Sequence, residues 1–201
     1  MKSVGVIIPY YQRKPGLLRG ALNSIYAQSL PGDVTVDVFI ADDESPNPPE
    51  AEIEGLSRPG FQIHIVKRPN GGPARARNTG LDAARDVDVI AFLDSDDSWA
   101  PDHLATGLAA LWRGAQFFFS NNFYEGDRTW FEGFTSLDRL LADGTDDGGQ
   151  QFSMPGPTAK AYLVLILVSF HNIRRVTSRL AGVNSQQSKL HRYWFAVAWV
   201  G

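Results

Sequence analysis

Residues 87–99 read VDVIAFLDSDDSW, and the character of this stretch decides the fold. Val87–Leu93 is apolar apart from Asp88, the length and composition of a strand buried on both faces of a parallel sheet. Asp94, Asp96 and Asp97 crowd its end, ahead of Ser98, Trp99 and Pro101. Carboxylates so close raise one another's pKa values, and a bound divalent cation relieves that repulsion. Hard cations such as Mg²⁺ are commonly held by one or two carboxylates together with substrate phosphates. The plain alternative is a polar strand exit where Ser98 or an aspartate caps a helix starting near Pro101. A cap needs one such residue, and this exit carries four.

Outward from this stretch the chain alternates strand and helix patterns. Ser3–Pro9 (SVGVIIP) predicts a first strand, followed by the polar YYQRK. Pro15 to Ser29 places Leu17, Leu18, Ala21, Leu22, Ile25 and Tyr26 on one helical stripe, with Pro in the first turn. Val34–Ala41 predicts a second strand ending in Asp42, Asp43, Glu44 and Ser45. A short helix over Pro49–Leu56 leads to a third strand at Phe61–Val66. Asn70-Gly71-Gly72-Pro73 then opens a helix from Ala74 to Ala84, whose first turns carry Arg75, Arg77 and Asn78. A helix over Pro101–Arg113 and a fifth strand over Ala115–Asn121 follow the stretch quoted first. Alternation of this kind predicts βαβ units around a parallel sheet. Ligands in such sheets sit at the carboxyl ends of the strands. YYQR, DDES, NGGPAR and DSDD all follow strands, so they are expected to meet at one edge.

Composition narrows the classes. With 201 residues and 43% hydrophobic side chains, the chain can bury a core and is not a disordered composition. A net charge of −3 lacks the basic excess of a general nucleic-acid surface, so no nucleic-acid partner is expected. The absence of cysteine excludes disulfides and thiolate metal sites. MKSVGVIIPYYQR has no secretory h-region, and Ala161–Phe170 is too short to span a bilayer as a helix. A cytoplasmic location is expected, with the inner face of the membrane as the alternative. All 22 Asp and Glu lie between Asp33 and Asp147, whereas the last 54 residues carry six Lys or Arg and no acid. The change falls in the Gly- and Pro-rich stretch 148–157.

No G-x-G-x-x-G follows the first strand and no G-x-x-x-x-G-K-[ST] occurs, so neither a dinucleotide fingerprint nor a P-loop is present. A receiver-like phosphoacceptor domain would place its acid pair after the first strand and a Lys after the fifth, and neither is found. In order and spacing, VIIPYYQR, IADDESP, NGGPARARNTG and FLDSDDSW resemble the family 2 glycosyltransferases of the GT-A fold. The similarity covers about residues 3–125. The spellings PYYQR and DDESP are most similar to bacterial exopolysaccharide transferases of the succinoglycan-assembly kind.

The resemblance implies an α/β GT-A domain using a nucleotide-sugar donor, such as UDP-glucose, and a divalent metal, Mn²⁺ or Mg²⁺, with inversion at the sugar carbon. Its acceptor would be a growing exopolysaccharide or lipid-linked saccharide. Pro9, Tyr10, Tyr11 and Arg13 match the nucleotide pocket, and Asp42 or Asp43 matches the acid that contacts base or ribose. A carboxylate is a natural acceptor for an imide N–H or ribose hydroxyls. Asn70, Arg77 and Asn78 match the loop and helix start that face phosphates. Asp94, Ser95 and Asp96 match the D-x-D motif, with Asp96 on the metal and Asp94 on the ribose or the metal shell. The simpler roles stay open: an Asx turn at Asp42 and Asp43, packing for Tyr10 and Tyr11, and packing under the acidic loop for Trp99. The four histidines show no ligand spacing.

Residues 1–125 are thus expected to form the nucleotide-sugar-binding core and 126–154 the start of the acceptor side. Residues 155–201 form an acid-free basic and apolar tail, where the family pattern stops as after truncation or a shifted reading frame. A native basic tail apposed to a membrane is the alternative. Family members place a general base in an acidic pair that this tail lacks. Glu125 and Asp127 are left as the candidate bases, and impaired transfer is expected. A nucleotide-sugar-binding module without catalysis is the rival from another class.

Overall fold

The computed structural model describes residues 2–113 and 117–120, and beyond them five short strands at 123–125, 128–129, 145–146, 152–153 and 196–199. The strands are β1 (Lys2–Tyr10), β2 (Val34–Asp42), β3 (Phe61–Lys67), β4 (Val89–Phe92), β5 (Phe117–Phe119) and β6 (Phe123–Glu125), followed by β7 (Arg128–Thr129), β8 (Thr145–Asp146), β9 (Phe152–Ser153) and β10 (Ala196–Trp199). The helices are α1 (Leu17–Tyr26), α2 (Glu50–Ile53), α3 (Pro73–Ala83) and α4 (His103–Trp112). The main sheet runs β3-β2-β1-β4-β10-β5; β1 to β4 are mutually parallel and β10 is antiparallel to both its neighbours. Separate two-stranded sheets pair β6 with β7 and β8 with β9. The main sheet and its helices belong to one compact unit, and residues 121–171 and 180–193 to a second.

The period-2 pattern sorts each strand's side chains between two faces. Val4, Val6, Ile8 and Tyr10 of β1 join Val34, Val36, Val38 and Ile40 of β2 and Val89 and Ala91 of β4 in one cluster. Leu18, Ala21, Leu22 and Ile25 of α1 and Leu104, Leu108 and Leu111 of α4 close over it. The opposite face carries α3, which approaches β1 closely. A Cβ at Gly80 would lie 2.5 Å from Ile7 Cγ2, so only glycine lets the helix sit at this depth. Gly80→Ala is expected to lose up to about 2 kcal/mol in denaturant titration. Overpacking costs roughly 1–3 kcal/mol, less the roughly 1 kcal/mol that alanine gains over glycine in a helix. Ile7→Ala added to it should cost less than the two single losses together; strict additivity would show that α3 has room to spare.

The sequence places every element through β5 but draws most helices and β4 and β5 too long, α1 to Ser29 and α2 to Leu56 among them. Three of the shortened starts have a visible cause. Helix α1 starts at Leu17 because Gly16 adopts φ 95°, so Pro15 stands outside the first turn. Helix α4 starts at His103, and its N-cap Asp102 makes no side-chain capping bond. The cap comes from afar: the Gln28 side chain accepts the Leu104 N–H at 2.8 Å. Strand β4 begins only at Val89, because the Asp88 carboxylate turns aside to accept the Ser3 N–H at 2.9 Å. No helix among the described residues is long and apolar enough to cross a membrane.

Candidate functional site

Strand order reverses between β1 and β4, since β2 and β3 extend to one side of β1 and β4 lies on the other. The crevice at such a reversal, outside the carboxyl ends, is where open α/β sheets bind ligands. The side chain of Gln12 spans it, donating through Nε2 to Ser95 Oγ at 2.8 Å. The Gln12 backbone N–H donates to Ser45 Oγ at 2.7 Å, and its carbonyl accepts the Asn47 N–H at 3.1 Å. One residue thus ties together the exits of β1, β2 and β4. Ser45 in turn donates its N–H to Asp42 Oδ1 at 2.9 Å, the local turn that an aspartate at a strand exit favours.

The exit of β2 also holds the loop before α3. Asp43 accepts the N–H of Gly72 at 2.7 Å and that of Gly71 at 3.1 Å, and pairs with Arg68. Asn70 reaches back through Nδ2 to the Asp43 carbonyl at 3.0 Å. Glu44 accepts the Asn70 N–H while standing at φ 59°, the left-handed region that a non-glycine residue enters at a cost. Gly72 caps α3 at φ 87°, and Pro73 follows at the first helical position.

From α3, Arg77 reaches the acidic exit of β4 and donates through Nη2 to Asp94 Oδ1 at 2.5 Å, a charge-assisted bond. Arg77 is buried, so this pair fixes Asp94 from the helix side. Asp96 is exposed and Asp97 half-buried. Burial first, then the charges of Asp96 and Asp94, push the Asp97 carboxyl up to about 7. Asp97 Oδ2 is buried with no hydrogen-bond partner among the described residues. Among those residues no three His, Asp or Glu side chains converge into a ready-made metal cage. An unsatisfied carboxylate oxygen beside an exposed one nevertheless fits a cation that takes its other ligands from phosphate.

The acidic loop rests on α1 and α4. Ser24 accepts the Trp99 N–H at 3.1 Å, and Gln28 donates through Nε2 to the Ala100 carbonyl at 2.7 Å. Trp99 is buried and stacks on His103 with ring centroids 4.7 Å apart, which makes it the packing residue expected under the loop. Burial holds the His103 imidazole down to about 4, so the stack is neutral at ordinary pH.

Of the residues singled out from sequence, Asp42, Asp43, Asn70, Arg77, Asp94, Ser95 and Asp96 are brought to this edge. Pro9 is buried in β1 opposite Ala41, and Asn78 is half-buried on α3. Tyr11 and Arg13 are exposed and, with Gln12, Lys14 and Leu17, line a groove of ≈ 330 Å³. Tyr10 corrects the expectation for it. Its side chain is wholly buried, donating its hydroxyl to the Asn47 carbonyl at 2.8 Å beside Glu52, so it supports the pocket from within. The side chain of Glu125, in β6, and all of Asp127 lie outside the described residues. Sequence reasoning missed Gln12, Ser45, Ser24 and Gln28 as supports and left Asp97 unassigned. Only Asp97 carried a signal, its place in the acidic run.

The family model described as Glycosyl transferase family 2 matches residues 5–166. The succinoglycan biosynthesis protein ExoW of Rhizobium meliloti (strain 1021) is 48% identical over 115 residues, covering 56% of this chain and 35% of that protein. ExoO of the same strain, another succinoglycan biosynthesis protein, is 37% identical over 102 residues, covering 51% and 28%. Among solved structures, S. aureus TarS 1-349 superposes with a TM-score of 0.52 at 25% identity, over 64% of this chain and 37% of that one. The same protein in complex with UDP-GlcNAc gives a TM-score of 0.51 at 25% identity, over 64% and 36%. The chain therefore spans about a third of the length of these relatives.

Proposed function

The chain belongs to glycosyl transferase family 2, and on that premise we propose that it transfers a sugar from a uridine diphosphate donor to a growing exopolysaccharide or lipid-linked saccharide. That it is a glycosyltransferase of the GT-A fold follows from the family match and the structural likeness. The succinoglycan-assembly relatives support the acceptor class, and the UDP-GlcNAc complex of a structural neighbour supports a UDP-sugar. UDP-glucose, inversion and metal dependence belong to the same reading. The observation that carries it is the joining of four loops at the β1/β4 crevice through Gln12, Ser45, Asp43 and Arg77.

In this reading Asp42 meets the base or ribose. Asp43 is occupied by the loop before α3, whereas Asp42 keeps one carboxylate oxygen beyond its bond to Ser45. The N-terminal end of α3, whose dipole favours phosphate, would face the diphosphate with help from Asn70 and Asn78. Asp96 and Asp97 would hold a divalent cation, which when bound neutralises charge on the donor diphosphate. Asp94, braced by Arg77, faces the ribose or the shell of that metal. Tyr11 and Arg13 border the groove at the exit of β1. Residues 1–125 make up the donor half, and an acceptor held at the inner membrane face would meet the remainder.

Calorimetric titration with UDP, GDP and dTDP, each with Mn²⁺ and then with chelator, tests this assignment. Selective, metal-dependent binding of UDP is the expected result. Equal binding of all three, or none, would remove the donor assignment.

A further inference from the structure

Two aspartates stand side by side at the exit of β2, and their surroundings differ sharply. The Asp42 carboxylate accepts one local bond, from the Ser45 N–H, while its carbonyl accepts the Arg68 N–H at 2.9 Å. Asp43 has a full complement: two glycine N–H groups and the Arg68 guanidinium on its carboxylate, Asn70 Nδ2 on its carbonyl, and its own N–H on the Tyr10 carbonyl. Its side chain is only 3% exposed, and that of Arg68 14%. A carboxylate so placed has little left to offer a ligand. Charge-assisted bonds to backbone N–H groups are among the stronger tethers a loop can have.

From this we infer that Asp43 is a positioning residue for the sugar donor, acting through the Gly71-Gly72 loop and α3 without touching the nucleotide. The inference rests on the donor assignment above and deepens it. The tether takes up the two glycine N–H groups, one residue past the anchor that Glu44 gives the Asn70 N–H. Gly71 and Gly72 N–H make no bond among the described residues except to Asp43. Gly72 holds φ 87° and ψ 167°, a combination that glycine alone adopts readily, and its carbonyl accepts the N–H groups of Arg75 and Ala76 that begin α3. The same helix carries Arg77 to Asp94. A shift at Gly72 therefore moves both the helix start that faces phosphate and the brace on the acidic loop.

The packing around Gly71 points the same way. A Cβ there would sit 2.7 Å from Arg68 Nη2 and 2.8 Å from Arg75 Cδ. The loop is pressed against the two arginines, with Arg68 held by Asp43. Gly71→Ala should push Arg68 aside and imitate a weakened tether from the other side of the ion pair.

The test uses the whole chain in two arms. Amide exchange at Gly71 and Gly72 reports the tether without any ligand, and titration of UDP, GDP and dTDP with Mn²⁺ reports recognition. Asp43→Asn keeps the shape but loses the charge and one acceptor oxygen. It should speed exchange at both glycines about tenfold or more, the factor that about 1.4 kcal/mol represents. It should weaken all three nucleotides by one common factor, leaving their ratio unchanged, and Gly71→Ala should do the same. Asp42→Asn should leave the glycine amides alone and flatten the ratio, because a site built to pair with a base edge discriminates by leaving the wrong base unpaired. Unchanged glycine exchange in Asp43→Asn would overturn the tether. A changed nucleotide ratio in Asp43→Asn would overturn the indirect role and place Asp43 on the base. If the unaltered chain binds none of the three nucleotides, the donor assignment falls, while the exchange arm still decides the tether.

Discussion

Asp96→Ala is expected to bring the affinity for UDP in Mn²⁺ down to the level seen with chelator. A loss on the order of 100-fold or more is the right scale, since changes merely behind a metal ligand cost about 10–100-fold in metal affinity. Asp96 is chosen because its neighbours are otherwise engaged or enclosed. Asp94 is braced by Arg77, and Asp97 is half-buried, while Asp96 is exposed with no hydrogen bond to its carboxylate among the described residues. Removing it should therefore cost little stability, which separates lost binding from lost fold. Asp102→Ala is the control. It lies six residues on, at the start of α4, and makes no side-chain capping bond. Its affinity for UDP should match that of the unaltered chain. UDP binding indifferent to metal, or intact in Asp96→Ala, would sink the metal assignment.

The framework was legible because it rests on local patterns. Val89–Phe92 is buried on both faces and reads as an unbroken apolar run, and the stripe from Leu18 to Ile25 has the spacing of a helix that covers a sheet. Parallel strands send their exits to one edge, so the meeting of DDES, NGGPAR and DSDD was also foreseeable. What escaped is what depends on distance in sequence. The bond from Gln12 to Ser95 spans 83 positions, and that from Leu104 N–H to Gln28 spans 76. No periodicity announces either one. Glutamine is also a common surface residue, so its type gave no hint of a bridging role.

The pair Asp42-Asp43 shows a different limit. Identical neighbours carry identical local signals, and both suit a turn before Pro46. Only their surroundings divide them, Asp42 toward Ser45 and Asp43 toward the glycine loop. Tyr10 and Tyr11 repeat the lesson, because Tyr10 closes β1 and is wholly buried while Tyr11 stands just past the strand end and is 42% exposed. Burial pushes the Tyr10 phenol up to about 12, which suits a hydroxyl that stays a donor to Asn47.

Acceptor-dependent sugar transfer by these 201 residues is expected to run about 10²–10⁴-fold slower than by a family member carrying an acidic pair on its acceptor side, the range a general base contributes. Inverting transfer needs a group within hydrogen-bond reach of the acceptor hydroxyl to take its proton. Beyond the acidic loop and Asp102 the acids are Glu125, Asp127, Glu132, Asp138, Asp143, Asp146 and Asp147, and none follows residue 147. Glu125 ends β6 and Asp127 comes two residues later, so these two are the candidates nearest in sequence to the acidic loop. The experiment is donor turnover with and without a polyprenyl-linked saccharide, on the unaltered chain and on Glu125→Gln and Asp127→Asn. UDP affinity is measured on each, because a missing base slows chemistry and leaves donor binding intact. Intact binding with slow transfer would mark a donor half without its proton acceptor. Rapid acceptor-dependent transfer that survives both substitutions would show that a base operates from elsewhere in the chain, and the acid-free tail would then carry no catalytic penalty.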